Sequence, residues 1–170
     1  SSIESRHKGY KKLDIGICAH KKVHSVIIQK GVGDEKDPAS ATSNMLALVL
    51  NQHGKVIIGD KALKLYLQDT NAYTDLCSAW YERTGLPFVF ARFCCVSNLP
   101  FFKKIFLPFL RRKIFIPRYI LDFYASSRQI SPAQIKAYLN LIYYKISRKE
   151  KKALKLFLNS AQIYLKRSKE

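Results

Sequence analysis

At 170 residues the chain has room for one domain or for two small lobes of a larger architecture, and its 48% apolar and 25% charged composition excludes a disordered segment. Four cysteines without a C-x-x-C pair exclude a disulfide scaffold, and the best apolar run, "FCCVSNLPFF", is broken by Pro100 and too short to span a bilayer. The net charge of +18 is unevenly placed: residues 1–102 carry 13 Lys+Arg against 9 Asp+Glu, and residues 103–170 carry 17 against 3.

Residues 1–12, "SSIESRHKGYKK", have no pairing partner of their own. Strand segments are predicted at 14–19, "DIGICA", and at 23–29, "VHSVIIQ", followed by a loop over 30–41 that holds two glycines, a proline and charge. Ser43 is expected to cap a helix over 44–52, with Gly54 just past its end. "KVII" at 55–58 reads as a short buried strand, and Asp60 as the cap of "KALKLYLQ". Thr74 or Asp75 should cap "LCSAWYERT", in which Leu76, Ala79, Trp80 and Arg83 share a face and which Gly85 closes. The unbroken run Phe88, Val89, Phe90, Ala91 then predicts a strand covered on both faces rather than half solvated. Strand, strand, helix, strand, helix, helix, strand is an α/β order with a largely buried sheet.

Beyond residue 96 aromatics, prolines and basic residues mix, and short helices interrupted at Pro108 and Pro117 are expected. Ser131-Pro132-Ala133-Gln134 is a capping box with proline at the first helical position, and Ser147-Arg148-Lys149-Glu150 is a second box. Behind it Leu154, Phe157, Ala161 and Leu165 form an apolar stripe at helical spacing. The basic, aromatic stretch 101–119 admits three readings: a solvated face over core aromatics, a membrane-surface contact, or a nucleic-acid surface. No recognition motif supports the last.

Nucleotide-binding glycine loops, serine-hydrolase elbows and H-E-x-x-H are all absent from the sequence. Among His7, His20, His24 and His53, only His20 and His24 share an i,i+4 spacing, and they lie in a strand-like segment, so no metal site is expected. Cys94 and Cys95 are strand neighbours without a base beside them. Cys18, Cys77, Cys94 and Cys95 read as reduced thiols, mostly buried. What remains are clustered hydroxyls: Ser1 and Ser2, then Ser40, Thr42 and Ser43. The second cluster leaves a loop at a helix N-terminus, where amide N–H groups, the helix dipole and hydroxyls converge in a way that suits a carboxylate. The plainer alternative is an ordinary cap made by Ser43 alone.

Several segments together resemble the chorismate dehydratases of the futalosine route to menaquinone. They are Ser1-Ser2-Ile3-Glu4, Asp14-Ile15-Gly16-Ile17, Ser25-Val26, and Asp37 with Ser40, Thr42 and Ser43 as D-x-x-S-x-T-S. Gly59-Asp60 with Ala62-Leu63, Asp75-Leu76, Trp80 and "TGLPFVFA" at 84–91 continue the pattern; Ile142-Tyr143-Tyr144 and Leu154 with Phe157 fit more loosely. The likeness covers nearly all of residues 1–95 and thins afterwards.

The resemblance implies an α/β, two-lobed, periplasmic-binding-protein-like (type II) fold. Residues 1–22 and 94–170 would form the first lobe and 23–93 the second, with crossings near "VHSVII" and "PFVFARF". It implies a cytoplasmic lyase converting chorismate to 3-[(1-carboxyvinyl)oxy]benzoate, with no cofactor, no metal, no nucleic-acid partner and no membrane span. Ser1 and Ser2 are the implied catalytic pair, on one substrate carboxylate. Ser40, Thr42 and Ser43 would bind the other. The family's opening strand and Asn-containing loop are expected ahead of residue 1, so this chain by itself is expected to be inactive. Two relatives of the same shape remain as alternatives: a small-anion solute-binding protein, and the dihydroxynaphthoate-forming enzyme of the same pathway, for which His20 or His24 would be the catalytic histidine.

Overall fold

The computed structural model describes residues 9–111 and 115–167. Seven helices and two three-stranded antiparallel sheets are found among them. The first sheet has β1 (Lys11–Ala19) at its centre, flanked by β5 (Phe88–Cys95) and β6 (Ile142–Lys145). The second has β2 (Val26–Gln29) between β3 (Lys55–Ile58) and β4 (Tyr73–Asp75). Helices α1 (Ala41–Val49), α2 (Gly59–Gln68) and α3 (Leu76–Thr84) connect the strands between β2 and β5. After β5 come α4 (Leu99–Arg111), α5 (Arg118–Arg128) and α6 (Pro132–Leu139), and α7 (Arg148–Arg167) ends the described chain.

The second sheet is covered on both faces because its central strand is apolar on both. Ile27 packs with Ile57 and Ala62 beneath α2, whereas Val26 and Ile28 face Leu46, Leu50 and Trp80 of α1 and α3. That larger cluster runs on without a break into Phe88 of β5 and Phe157 of α7. The rings meet edge to face: Trp80–Phe88 at 5.5 Å, Phe88–Phe157 at 5.0 Å and Trp80–Phe157 at 6.0 Å between centroids. The indole N–H is satisfied by the Pro87 carbonyl at 3.1 Å, so the ring is buried without stranding a donor. Phe88 and its neighbour Val89, both nearly inaccessible, enter two different clusters. The unbroken apolar run of β5 is thus covered on both sides at its start.

Gly16 sits at a bulge where β1 shifts register against β5. A Cβ there would lie 2.2 Å from the Ala91 carbonyl oxygen, so only glycine lets the two backbones approach. Asp14 of β1 then ties three elements together, accepting from Arg92 of β5 at 3.0 Å and Lys151 of α7 at 2.6 Å.

Several sequence-based expectations change. Residues 23–25 form a turn rather than strand, with His24 at φ 62, and β2 begins at Val26. The short strand β4 had no distinguishing pattern in the sequence. Pro108 does not interrupt α4, because Phe102, Phe106 and Leu110 anchor both halves of the helix against Leu13, Ile15 and Cys95. Pro117 does start a new helix, at Arg118. The Ser131 capping box forms as expected, with Gln134 N donating to Ser131 Oγ and Ser131 N to Gln134 Oε1. At Ser147 only half of the second box forms. Glu150 accepts from Ser147 N, while the serine hydroxyl bonds the same carboxylate. Leu154, Phe157 and Ala161 are buried along α7, but Leu165 is exposed, because the helix outruns the core.

Each of the three core aromatics removes roughly 150–250 Å² from water, worth about 4–6 kcal/mol. Phe157→Ala empties the place where α7 meets α3 and β5, and urea denaturation should show a loss of about 3–5 kcal/mol. A loss below about 1 kcal/mol would mean that α7 is not part of the main core.

Candidate active site

The hydroxyl cluster lies where β2 hands over to α1. The helix begins at Ala41, three residues earlier than expected, and its N-cap is Ser40, not Ser43. Ser40 Oγ accepts from Ser43 N at 3.1 Å and donates to Ser43 Oγ at 2.8 Å. Asn44 draws the helix start back. Its amide accepts from Asp37 N at 2.9 Å and donates to Asp37 O at 2.7 Å, folding the loop onto the first turn. Ser43 is buried, and Thr42 and Ser40 are half-buried. The structure therefore brings Ser40 and Ser43 into contact and sets Thr42 beside them. Ser1 and Ser2 lie outside the described residues.

A second set of polar groups gathers where β3 ends and β2 begins. Gly59, the first residue of α2, donates to Ser25 O at 2.8 Å. The buried Ser25 hydroxyl meets the Tyr138 hydroxyl at 3.1 Å, linking β2's start to α6 across 113 positions of sequence. Asp60 does not cap α2, since the N-cap is Ile58 and makes no side-chain bond. Its carboxylate instead turns outward to Arg128 of α5, 2.5 Å away. Lys64 of α2 bonds Gln129 beside it. Several of these residues border a pocket of about 260 Å³, walled by Leu63, Ile120, Ile130 and Ile135, with Asp60, Tyr124, Arg128 and Tyr138 as polar side chains. A larger groove of about 630 Å³ runs between α3 and α7 past Trp80, Arg83, Lys152 and Tyr164. None of Ser40, Thr42 or Ser43 lines either pocket.

Tyr138, Arg128 and Tyr124 carried no sequence signal as site residues. Their partners Ser25 and Asp60 belong to the family pattern but were not expected as site residues, and nothing in the sequence pairs residues so far apart.

Histidines and thiols have defined surroundings. His24 stacks on Tyr66 at 4.5 Å, and its N–H, with that of Val23 at 3.0 Å, donates to Asp75 Oδ2. Asp75 also caps α3 by accepting from Ser78 N at 2.8 Å, so one buried carboxylate holds a turn and a helix start together. His20 is exposed and lies 5.4 Å from the Tyr81 ring. The four cysteines are free. Burial, and then the nearby Glu150 charge, pushes the Cys18 thiol up to about 12. Burial and Asp75 push Cys77 up as well. Neither thiol forms a thiolate nucleophile near neutral pH. Burial works against the Glu150 charge, but bonds from Ser147, the Tyr143 hydroxyl and the local N–H groups outweigh it and hold this carboxyl below its ordinary value. No group of three or more metal-ligating side chains is found among the described residues.

The molecule is a mixed α/β protein whose candidate polar sites are made of hydroxyls, helix starts and the Arg128–Asp60 pair. A family model described as menaquinone biosynthesis matches residues 24–162. The chorismate dehydratase of Campylobacter jejuni subsp. jejuni serotype O:23/36 (strain 81-176) is 56% identical over 163 residues, covering 95% of this chain and 73% of that protein. The chain belongs to the menaquinone-biosynthesis family.

Burial holds the His24 imidazolium below its ordinary value of about 6.5, with Asp75 opposing the shift and Lys22 adding to it. The unfolded state therefore takes up the proton first as pH falls. The stability contributed by neutral His24 is complete above the unfolded value and is lost as pH drops through the folded one. His24→Gln should flatten that part of the pH–stability curve, and NMR should show the ring titrating below about 6.5. A ring that titrates above that value would contradict the assignment.

Proposed function

We propose that the chain is a lyase that removes water from chorismate and forms 3-[(1-carboxyvinyl)oxy]benzoate, in the biosynthesis of menaquinone. The observation that carries this reading is the 56% identity to a chorismate dehydratase, sustained over 95% of the chain. The reaction removes the ring hydroxyl together with the hydrogen of the neighbouring ether-bearing carbon. The electrons of that C–H bond complete the aromatic ring. Aromatisation supplies the driving force, so the protein's task is to orient the substrate.

The architecture we propose for this task is the two-lobed, periplasmic-binding-protein-like (type II) arrangement, with residues 1–22 and 94–170 in the first lobe and 23–93 in the second. It is supported by β1 and β6 sharing one sheet while β2, β3 and β4 form the other. β5 is then the return crossing, hydrogen-bonded to β1.

A dicarboxylate substrate accounts for a site of hydroxyls and helix starts. Ser40, Thr42 and Ser43, with the first-turn amides of α1, take one carboxylate from the second lobe. Ser1 and Ser2 take the other from the first lobe. The base is the substrate's own enolpyruvyl carboxylate, oriented by these donors, and neither a cofactor nor a metal takes part. The compartment is the cytoplasm. No helix among the described residues is long and apolar enough to cross a membrane.

Incubation of the intact protein with chorismate, followed by mass detection of the product, tests the activity and separates it from simple solute binding. Ser2→Ala and Thr42→Val should each lower kcat/KM by about 10–100-fold, the scale of one lost hydrogen bond to a charged group. The pH–rate profile should be flat near neutrality. An enzyme group titrating there, or unchanged kcat/KM in both variants, would overturn the assignment.

A further inference from the structure

We infer that the 260 Å³ pocket between α2, α5 and α6 is where the ring of the substrate sits, with Arg128 as the cation that shares the ring carboxylate with the proposed hydroxyl donors and Tyr138 as the hydroxyl beside it. The inference rests on the dehydratase reading and adds to it a cation and an apolar wall.

The hydroxyls of α1 can donate to a carboxylate but cannot balance its charge, and a dicarboxylate carried out of water needs a cation opposite it. Arg128 is the single cation among the described residues that line this pocket. Its guanidinium is fixed from three sides. It lies 4.4 Å from the centre of the Tyr124 ring, its Nε donates to Asp60 at 2.5 Å, and one terminal nitrogen bonds Ser127 Oγ at 3.2 Å. Stacking on a ring presents the fork of donors edge-on, which is the geometry that a planar carboxylate matches.

The pairing with Asp60 does not block this role. The Asp60 side chain is 59% exposed and that of Arg128 is 34% exposed, so water screens the ion pair and its partner is exchangeable. A substrate carboxylate arriving in the pocket trades for Asp60, which returns to solvent. The rest of the lining suits the ring itself. Leu63, Ile120, Ile130 and Ile135 provide an apolar wall, and the Tyr138 hydroxyl, anchored by the buried Ser25, supplies a fixed hydrogen-bonding group at one side. The pocket lies at the end of the second sheet where β2 begins: Asp60 is in the first turn of α2, and Gly59 and Tyr138 both bond Ser25.

The test uses Arg128→Gln, Arg128→Lys and Asp60→Asn in the intact protein, with benzoate as a ring-carboxylate probe. Calorimetric binding of benzoate requires no turnover, so it examines the pocket even if the dehydratase activity is absent. Arg128→Gln should weaken benzoate binding and raise the KM for chorismate by about 10–100-fold, with a smaller change in kcat and with partial recovery in Arg128→Lys. Asp60→Asn frees the guanidinium and should tighten benzoate binding and lower KM. If Arg128 served only to hold α5 against α2, the glutamine and asparagine variants would instead lose thermal stability together and raise KM alike. That result, or benzoate binding that ignores Arg128→Gln, overturns the inference. Failure of the wild-type protein to dehydrate chorismate while benzoate binding follows Arg128 would count against the proposed reaction alone.

Discussion

The contact on which the rest of the structure depends is the edge-to-face meeting of Trp80, Phe88 and Phe157. These rings come from a helix, a strand and the last helix, which are separated in sequence but must reach one point. Bringing them together fixes α3 and α7 against β5 and thereby joins the two sheets through a single apolar cluster. The arrangement is specific as well as apolar. The Pro87 carbonyl that accepts the indole proton belongs to the residue immediately before Phe88, so the donor and the ring partner are positioned by the same turn. Gly85, in the left-handed region at φ 66, ends α3 in time for that turn to form. A side chain there would be strained by the backbone alone.

Around this core the few acidic residues act as fasteners. Asp75 gathers the amides of Val23, His24 and Ser78. Glu150 gathers Tyr143 and Ser147, and Asp14 gathers Arg92 and Lys151. The lysines of α7, by contrast, line its exposed side while Ala153, Leu154 and Phe157 face inward. Much of the excess positive charge is therefore the solvated face of an amphipathic helix. That placement explains how a chain of net charge +18 stays compact although most of its cations have no carboxylate to pair with.

What the sequence made legible was mostly local. Caps at Asp75 and Ser131, the stop at Gly85 and the covered strand after it are decided within a few residues, and each can be read from side-chain type and spacing. The errors arose where two local signals competed or where distant packing decided. Ser40 and Ser43 are both able caps, and only the long reach of Asn44 back to Asp37 selects the earlier one. Asp60 looked like a cap because it precedes a helical pattern, yet the helix starts before it and its carboxylate is drawn to Arg128, 68 residues away. Pro108 carries a local penalty that packing of Phe102, Phe106 and Leu110 overrides. The hydroxyls of the candidate site were legible through the family pattern. Tyr138 and Arg128 were not, because no sequence spacing marks a contact made by the fold.

These distances also divide the molecule by the kind of bond that holds it. On the side of β5 and α7 the contacts are buried aromatic rings, which have no substitute partner once separated. On the side where α2 faces α5 and α6, the contacts include Asp60–Arg128 and Lys64–Gln129, exposed polar pairs that water can replace. Opening the first side costs burial, whereas opening the second exchanges one set of hydrogen bonds for another. A protein that must admit an anion, exclude water around it and release a product needs both kinds of side. Rings fix the geometry of one side, and exposed, exchangeable pairs border the pocket on the other.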